Sequence, residues 1–241
     1  MIQTQATVVD IQHSPNKEVA FVYFKPEQSF VFQEWQFIFL ERLWFTYPDG
    51  KAMKNAYSIG TTNMLFQEKG IIGTIVKKST IWGMSEYLTQ YIAIGDSVKL
   101  TGPLGHFVDK KIARNYVFIS IGSGITPVYS LYNGLLHTQD FDRIINVFGE
   151  RYVENVLPTV MQSYTSEDPR VTHMLYLSQE KDLPTWRQSW YIQQSLEYIF
   201  ETFTNQKFQI FLCGKPVMVD DVVAILLDRG IEKEYIHFEK Y

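Results

Sequence analysis

The chain has 241 residues and a mass of 28.2 kDa, and 46% of its residues are hydrophobic, so we expect a large buried core and exclude extended disorder. The formal net charge is −4, which argues against a nucleic-acid-binding surface. The single cysteine excludes a disulfide framework, a zinc knuckle and a four-cysteine iron–sulfur site within this chain, and it is typical of a reducing compartment. The first ten residues, MIQTQATVVD, lack the pattern of a secretory signal, and we expect a cytoplasmic protein.

The first 108 residues are predicted to form short strands separated by turns. Val, Ile, Phe and Tyr are enriched in four segments: 20–24, 36–40, 74–77 and 97–100. Turn formers such as Pro48-Asp49-Gly50 and Gly102-Pro103 lie between such segments. Residues 84–89 are predicted to form a short helix. Strands at this spacing indicate an antiparallel barrel or sandwich.

The pattern changes after residue 108. Residues 116–121 form a continuous apolar run, which is typical of a strand buried on both faces. Apolar positions then recur with helical spacing over 128–136. The later segments are predicted strands at 144–148, 174–177, 208–213 and 235–238, and predicted helices at 188–203 and 218–229. This alternation predicts a parallel sheet with right-handed crossovers. We place the domain boundary in the charged segment 109–114.

A glycine-rich loop, Gly122-Ser123-Gly124-Ile125-Thr126-Pro127, follows the first of these buried strands. It interrupts the uncharged stretch 115–139, so we predict no membrane span. Glycines allow a ligand to approach the backbone, and a helix N-terminus attracts phosphate. Pro127 suits the first position of the following helix. The loop therefore predicts a pyrophosphate site, with a simple strand-to-helix turn as the alternative.

Three other segments combine into a pattern. Cys213-Gly214-Lys215-Pro216-Val217-Met218 follows a buried strand, where ligands of open α/β sheets bind. A buried structural cysteine is the alternative reading. Asn55-Ala56-Tyr57-Ser58 places an aromatic ring beside a hydroxyl, and Gly83-Met84-Ser85 opens a short helix as a possible anion cradle.

Taken in order, these segments resemble the ferredoxin–NADP⁺ reductase superfamily of FAD- and NAD(P)-binding flavoprotein oxidoreductases, over essentially the whole chain. The most specific matches are GDxVxLxGPxGxF at 95–107, the GSGITP loop, the CGxPxM segment and the closing Phe238-Glu239-Lys240-Tyr241. The resemblance implies an antiparallel Greek-key β-barrel that binds flavin (1–108). It further implies a five-stranded parallel Rossmann-like α/β domain that binds a nicotinamide dinucleotide (109–241).

The resemblance also implies roles for residues of the first domain. Tyr57 stacks against the flavin ring, and Ser58 lies near flavin N5. The flavin phosphate is held by the segment Gly83, Met84 and Ser85. Val76 and Lys77 lie on the strand whose backbone contacts the flavin tail.

In the second domain, the pyrophosphate of the nicotinamide cofactor is assigned to Gly122, Gly124, Thr126 and Pro127. Cys213 lies near the nicotinamide ring, and Gly214, Pro216 and Met218 belong to the same binding segment. Arg151 matches a position near the adenosine ribose. Glu239 joins Ser58 around the reacting atoms, so the catalytic set is Ser58, Cys213 and Glu239. Tyr241 resembles a mobile aromatic lid on the flavin face.

The implied activity is hydride transfer between NAD(P)H and bound FAD, followed by electron transfer to a separate carrier such as ferredoxin or flavodoxin. Two alternatives are a reductase component of an oxygenase or cytochrome system and a non-catalytic dinucleotide-binding regulatory subunit. The five histidines show no metal-ligand spacing, and no metal site is predicted. Lys77-Lys78 and Lys110-Lys111 are read as solvated pairs, with docking of an acidic partner as the alternative.

Three positions depart from the family pattern. Asn55 stands where the family usually has an arginine that pairs with flavin phosphate, so Lys54 or another cation replaces it or flavin binds more weakly. This leaves FAD against FMN open. Gln179 stands where NADP-specific members often have arginine, which favours NADH, although Arg151 and Arg187 could still serve a 2′-phosphate. Trp35 stands where a glycine often precedes the glutamine of the third strand, and the sequence offers no reason for it.

Overall fold

The computed structural model describes residues 1–105, 113–165, 167–180 and 192–241. The chain divides into two compact units. One comprises Met1–Val108 with Tyr129–Gly134, and the other comprises Asp109–Val128 with Leu135–Tyr241.

The first unit is built on a six-stranded antiparallel sheet in the order β4-β3-β6-β1-β2-β5. Its strands are β1 (Ile2–His13), β2 (Val19–Pro26), β3 (Phe37–Thr46), β4 (Ala52–Ser58), β5 (Ile72–Lys77) and β6 (Ser97–Leu104). Its helices are α1 (Asn63–Lys69) and α2 (Met84–Gln90). Alternating residues of the strands supply a buried core, and both helices contribute to it.

The two edge strands of this sheet are linked directly. Gly60, which follows β4, donates its backbone N–H to the carbonyl of Gly73 on β5 at 2.7 Å. Thr61 accepts a second bond there, from the Gly73 N–H to its hydroxyl at 3.2 Å. The sheet therefore curls toward a barrel, which protects edges that would otherwise be unpaired.

The second unit is built on a five-stranded parallel sheet in the order β11-β10-β7-β8-β9. Its strands are β7 (Asn115–Ile121), β8 (Arg143–Glu150), β9 (Val171–Leu177), β10 (Gln209–Gly214) and β11 (Ile236–Lys240). The helices that follow them in the chain are α3 (Ile125–Thr138), α4 (Pro158–Ser163), α5 (Ser195–Thr202) and α6 (Pro216–Asp228). The direction of strand order reverses between β7 and β10, which is where open α/β sheets bind ligands.

The predicted fold class, an antiparallel barrel-like sheet followed by a five-stranded parallel α/β domain, is confirmed. Sequence reasoning missed β1, β4, α1 and α4. The strand β1 alternates polar and apolar residues and has few large apolar side chains, so composition alone hides it. Of the predicted helix 188–203, the segment Ser195–Thr202 is helical, whereas 188–191 lie outside the described residues.

One predicted helix start is wrong. A 3₁₀ turn at Gly122–Gly124 precedes α3, which begins at Ile125, so Pro127 is the third residue of α3 and not the first. Pro127 still lies within the first turn, where a missing N–H is tolerated. By contrast, α6 begins at Pro216, two residues before the predicted start, because proline is favoured at this position.

Within the described parts of the chain, no helix combines the length and apolar character needed to cross a membrane.

Candidate functional site

The glycine-rich loop of the second unit lies in close contact with the end of β10. A Cβ atom added at Gly124 would lie 2.3 Å from the carbonyl oxygen of Cys213. Gly122 has a φ of +53°, a conformation that favours glycine. Both glycines are thus required by the backbone, which brings the two predicted binding segments together. Beside them, the Thr126 hydroxyl donates to the carbonyl of Ser123 at 2.7 Å and fixes the first turn of α3.

The hydroxyl of Tyr241 lies on this loop. It accepts a hydrogen bond from the Gly124 backbone N–H at 3.1 Å and donates to the Ile121 carbonyl at 2.5 Å. The Tyr241 backbone N–H in turn donates to the Gly214 carbonyl at 3.2 Å. Burial raises the pKa of the Tyr241 phenol. The Tyr241 hydroxyl thus occupies the Gly124 N–H, which the pyrophosphate hypothesis assigns to a phosphate oxygen.

A row of polar side chains crosses the carboxyl ends of three neighbouring strands. In register, Cys213 on β10 lies between Glu239 on β11 and Ser120 on β7. Paired residues of adjacent strands project from the same sheet face. Cys213 is only 3% exposed, and burial followed by the Glu239 carboxylate raises the pKa of its thiol. Cys213 is therefore a neutral thiol, not a thiolate nucleophile.

Sequence reasoning missed Ser120. Its hydroxyl is buried and has no hydrogen-bond partner among the described residues. Such a group is costly unless something else satisfies it. The sequence feature that could have identified Ser120 is its place as a polar residue inside an apolar strand, two positions before the glycine-rich loop.

The second segment of the predicted site, after β10, is closely packed. A Cβ atom at Gly214 would lie 2.5 Å from Met218 Cε and 2.6 Å from Ile121 Cγ1. Pro216 and Met218 lie in the first turn of α6, and Met218 is buried. This segment therefore holds Cys213 against the glycine-rich loop.

The end of β8 adds a buried carboxylate that sequence reasoning also missed. Glu150 is 7% exposed, and its Oε1 accepts hydrogen bonds from the Arg151 N–H at 2.8 Å and the Asn155 side chain at 3.0 Å. Its Oε2 lies 3.9 Å from the position of a Cβ atom built at Gly122. Arg151, the predicted ribose contact, is exposed beside it.

The turns after β8 and β9 are joined by hydrogen bonds. Gln179 donates its N–H to the Arg151 carbonyl at 3.0 Å, and its side chain accepts from the Tyr152 hydroxyl at 2.8 Å. Glu180 accepts from the Val153 N–H at 3.1 Å. Gln179 and Glu180 are therefore held next to Arg151, whereas Arg187 lies outside the described residues.

In the first unit, the structure brings two predicted flavin residues together. The hydroxyls of Tyr57 and Ser85 are 3.0 Å apart, so one donates to the other. Burial raises the pKa of Tyr57 to about 12, against the smaller opposing effect of the bond to Ser85. Ser85 lies in the first turn of α2, after Gly83 and Met84, and the buried Met84 side chain leaves only its backbone for a ligand.

The remaining flavin residues lie at strand ends. Ser58 is half-buried at the end of β4, opposite Phe37. Val76 is buried and Lys77 is half-buried at the end of β5. The motif at 95–107 is described only as far as Gly105, so His106 and Phe107 lie outside the described residues, as do Lys110 and Lys111. The grouping of Ser58 with Glu239 stays a prediction.

The structure shows the surroundings of two positions that depart from the family pattern, Asn55 and Trp35. Asn55 is exposed, and its side chain accepts a bond from the Ala56 N–H at 3.0 Å. Lys54 Nζ lies 4.4 Å from the centre of the Phe39 ring, on the face opposite to Asn55, because successive strand residues alternate. Trp35 has a φ of +78°, the region that favours glycine, which explains why glycine often stands there.

Part of the second unit resembles a domain of known proteins, and two relatives match most of the chain. Residues 118–224 match the model of the oxidoreductase NAD-binding domain. The toluate 1,2-dioxygenase electron transfer component of Pseudomonas putida is 23% identical over 193 residues, which cover 80% of this chain and 55% of that protein. The phenol hydroxylase P5 protein of Acinetobacter pittii (strain PHEA-2) is 25% identical over 246 residues, covering 98% of this chain and 65% of that protein. The chain thus spans less than two thirds of the length of these relatives.

Solved structures share the fold. A ferredoxin NADP⁺ reductase from Neisseria gonorrhoeae, solved with bound FAD and NADP, has a TM-score of 0.80 at 19% identity and covers 99% of this chain and 98% of that one. A ferredoxin reductase of carbazole 1,9a-dioxygenase has a TM-score of 0.80 at 20% identity and covers 99% of this chain and 69% of that one. The chain therefore shares the two-part fold of these reductase structures, and residues 118–224 resemble the oxidoreductase NAD-binding domain.

Proposed function

We propose that the chain is an NAD(P)H-dependent flavoprotein reductase. It transfers hydride between NAD(P)H and bound FAD and then passes electrons to a separate one-electron carrier, such as ferredoxin or flavodoxin. The observation that carries the proposal is the contact between Gly124 and Cys213, where any side chain larger than glycine would collide with the backbone. This contact sets backbone N–H groups at the point where the strand order reverses, which suits a pyrophosphate.

The described residues fit both cofactors. Tyr57 and Ser85 supply an aromatic ring and hydroxyls for flavin, and the Gly122–Gly124 loop supplies amides for the dinucleotide. Bound flavin supplies an acceptor for a hydride whose electrons can leave one at a time. The protein positions the two rings. At the strand ends it places the neutral thiol of Cys213 and the hydroxyl of Ser120, which has no hydrogen-bond partner among the described residues. Because the chain has one cysteine, it holds no four-cysteine cluster, and the next carrier is a separate protein or domain.

Anaerobic titration tests this function. We expect the purified protein to be yellow, and NADH or NADPH to bleach its flavin absorbance. A Gly124→Val variant should keep its flavin but lose bleaching, because the added side chain collides with Cys213. A colourless protein that takes up neither FAD nor FMN would contradict the proposal.

A reductase component for an oxygenase is the second candidate. It is favoured by the names of the relatives, which include a dioxygenase electron transfer component and a phenol hydroxylase protein. Turnover with ferredoxin, flavodoxin, a cytochrome and an oxygenase component, tested one at a time, distinguishes these acceptors.

A regulatory dinucleotide-binding subunit is the third reading, and absence of flavin after gentle purification would favour it. We place the protein in the cytoplasm as part of this proposal.

We propose NADH as the preferred nicotinamide. Gln179 carries no charge, and its side chain is engaged by Tyr152. Glu180 and the buried Glu150 place carboxylates on the turns where the adenosine ribose is expected. A carboxylate accepts hydrogen bonds from ribose hydroxyls, whereas the 2′-phosphate of NADPH needs a cation. In the described turns 150–153 and 178–180, Arg151 is the one cation.

Two matched ligands test this preference. ADP-ribose and 2′-phospho-ADP-ribose differ by one phosphate, and we expect calorimetry to show that ADP-ribose binds about tenfold tighter or more. Gln179→Arg should narrow this ratio, because it adds a phosphate-binding fork. Gln162→Arg adds the same charge to the exposed surface of α4 and should leave the ratio unchanged. Tighter binding of the phosphorylated ligand by the unmodified protein would contradict the preference.

A further inference from the structure

Arg42 is a half-buried cation on β3 with an unusual set of neighbours. Its Cζ lies 4.3 Å from the centre of the Tyr87 ring and 4.8 Å from that of Phe45. None of the ion pairs among the described residues includes it. The Tyr87 hydroxyl is also hydrogen-bonded to the Arg42 side chain. Two aromatic side chains thus hold the guanidinium, and no carboxylate of the described residues is paired with its N–H edge.

The sheet register places Arg42 on the same face as Asn55. Leu40 on β3 is paired with Asn55 on β4, and residues two apart on a strand share a face. Arg42 therefore follows Leu40 on the face from which Asn55 projects. Lys54 lies on the opposite face, over Phe39.

The predicted flavin residues belong to the same surroundings. Tyr57 is two residues after Asn55 on β4, and its hydroxyl is hydrogen-bonded to Ser85 on α2. The same helix carries Tyr87, the ring that Arg42 contacts. One sheet face and the helix packed on it thus bring together a guanidinium, an amide and two hydroxyls.

We propose that Arg42 binds the flavin phosphate and supplies the charge that Asn55 lacks. The inference rests on the proposed function and assigns a residue to its flavin site. A guanidinium offers a bidentate fork to phosphate oxygens, which neither asparagine nor a single hydroxyl can supply. The aromatic contacts hold this fork in place, so less conformational entropy is lost when a phosphate binds.

A comparison of flavins with and without phosphate tests the inference. The full chain, freed of flavin, is titrated with FMN and with riboflavin, which share the ring system and differ by the phosphate. In Arg42→Gln, we expect FMN affinity to fall about tenfold or more, since a charge-assisted contact is lost, and riboflavin affinity to stay within about twofold. Lys54→Gln, which removes a charge from the opposite face, should change neither affinity.

A second test moves the positive charge from position 42 to position 55. In the double variant Arg42→Gln/Asn55→Arg, we expect FMN affinity to recover by about tenfold, because the cation returns to the same face. Arg42→Lys keeps the charge without the fork and should lose less FMN affinity than Arg42→Gln. If Arg42→Gln folds poorly, the Arg42→Lys comparison with riboflavin serves in its place.

The outcomes separate this inference from the proposed function. Unchanged FMN affinity in Arg42→Gln overturns the role of Arg42. An equal loss of FMN and riboflavin also overturns it, because a brace for Tyr87 does not discriminate phosphate. If the unmodified chain binds no flavin of any kind, the proposed function itself fails, along with the inference that rests on it.

Discussion

The hydroxyl of Tyr241 is hydrogen-bonded to the backbone N–H of Gly124, at 3.1 Å, inside the loop that a dinucleotide is expected to occupy. The same hydroxyl donates to the carbonyl of Ile121. A phosphate oxygen that uses the Gly124 N–H has to displace it. We therefore expect Tyr241 to compete with the dinucleotide for one amide of the loop.

Tyr241→Phe should strengthen dinucleotide binding. The variant keeps the ring but removes the competing hydroxyl, and one hydrogen bond corresponds to about a fivefold change in the dissociation constant. Calorimetry with ADP-ribose measures the effect. Tyr235→Phe, which removes a hydroxyl that accepts a bond from Lys207 elsewhere in the same unit, is the control. Equal or weaker binding by Tyr241→Phe would rule out the competition.

Gly124→Ala should impair dinucleotide binding and stability together. Its Cβ atom would lie 2.3 Å from the Cys213 carbonyl oxygen, so the backbone has to move. We expect a loss of about 1–3 kcal/mol in the free energy of unfolding, as in other overpacked sites. Gly134→Ala within α3 is the control, where the new Cβ lies 3.4 Å from the Glu34 side chain and helix propensity improves. Denaturant unfolding of both variants checks the difference, and two equally stable variants would contradict it.

Cys213→Ala should slow flavin reduction without changing flavin content. The thiol is buried and its pKa is raised, so we expect it to contact the bound ring and not to act as a nucleophile. We expect the rate of anaerobic reduction by NADH to fall about tenfold, which corresponds to 1.4 kcal/mol in the barrier. Stopped-flow absorbance measures this rate, and flavin content per chain is the control. Unaltered reduction kinetics would remove Cys213 from the site.

Two substitutions at Trp35 should reveal its backbone strain. Trp35 is 7% exposed, so Trp35→Ala is expected to cost about 3 kcal/mol or more of stability through lost burial. Glycine usually costs about 0.5–1 kcal/mol more than alanine in regular structure, yet at a φ of +78° we expect Trp35→Gly to be more stable than Trp35→Ala by about 1 kcal/mol. Thermal and denaturant unfolding compare the two variants. The usual order, with alanine more stable, would show that the position carries little strain.

His173 should make the stability of the protein depend on pH. Burial lowers its pKa from 6.5 to about 4, so the folded state disfavours the charged ring. The unfolded chain therefore binds the proton more readily between pH 6.5 and about 4, and the free energy of unfolding falls as pH decreases through that range.

Urea unfolding at several pH values checks this expectation. His173→Gln should flatten the slope between pH 6.5 and 4, whereas His137→Gln, at an exposed position of α3, should follow the unmodified protein. Parallel curves for His173→Gln and the unmodified protein would show that another group causes the slope.

Local sequence patterns by themselves determined much of this protein. The apolar run of β7, the glycines after it and the helical spacing of α3 predicted one strand–loop–helix unit, because each of these signals spans only a few residues. The position of Cys213 at a strand end followed from the same kind of pattern. These features were enough to predict the fold class and the two loops that we propose for dinucleotide binding.

Contacts between distant residues were decided only by the tertiary structure. Tyr241 and Gly124 are separated by 117 positions in the chain, and no local pattern links them. Arg42 and Asn55 share a face only because the register pairs Leu40 with Asn55. The positive φ of Trp35 arises from its surroundings and opposes the residue's own preference. Periodicity specifies which face of an element is buried, but register and close approach depend on the packing of all the elements together.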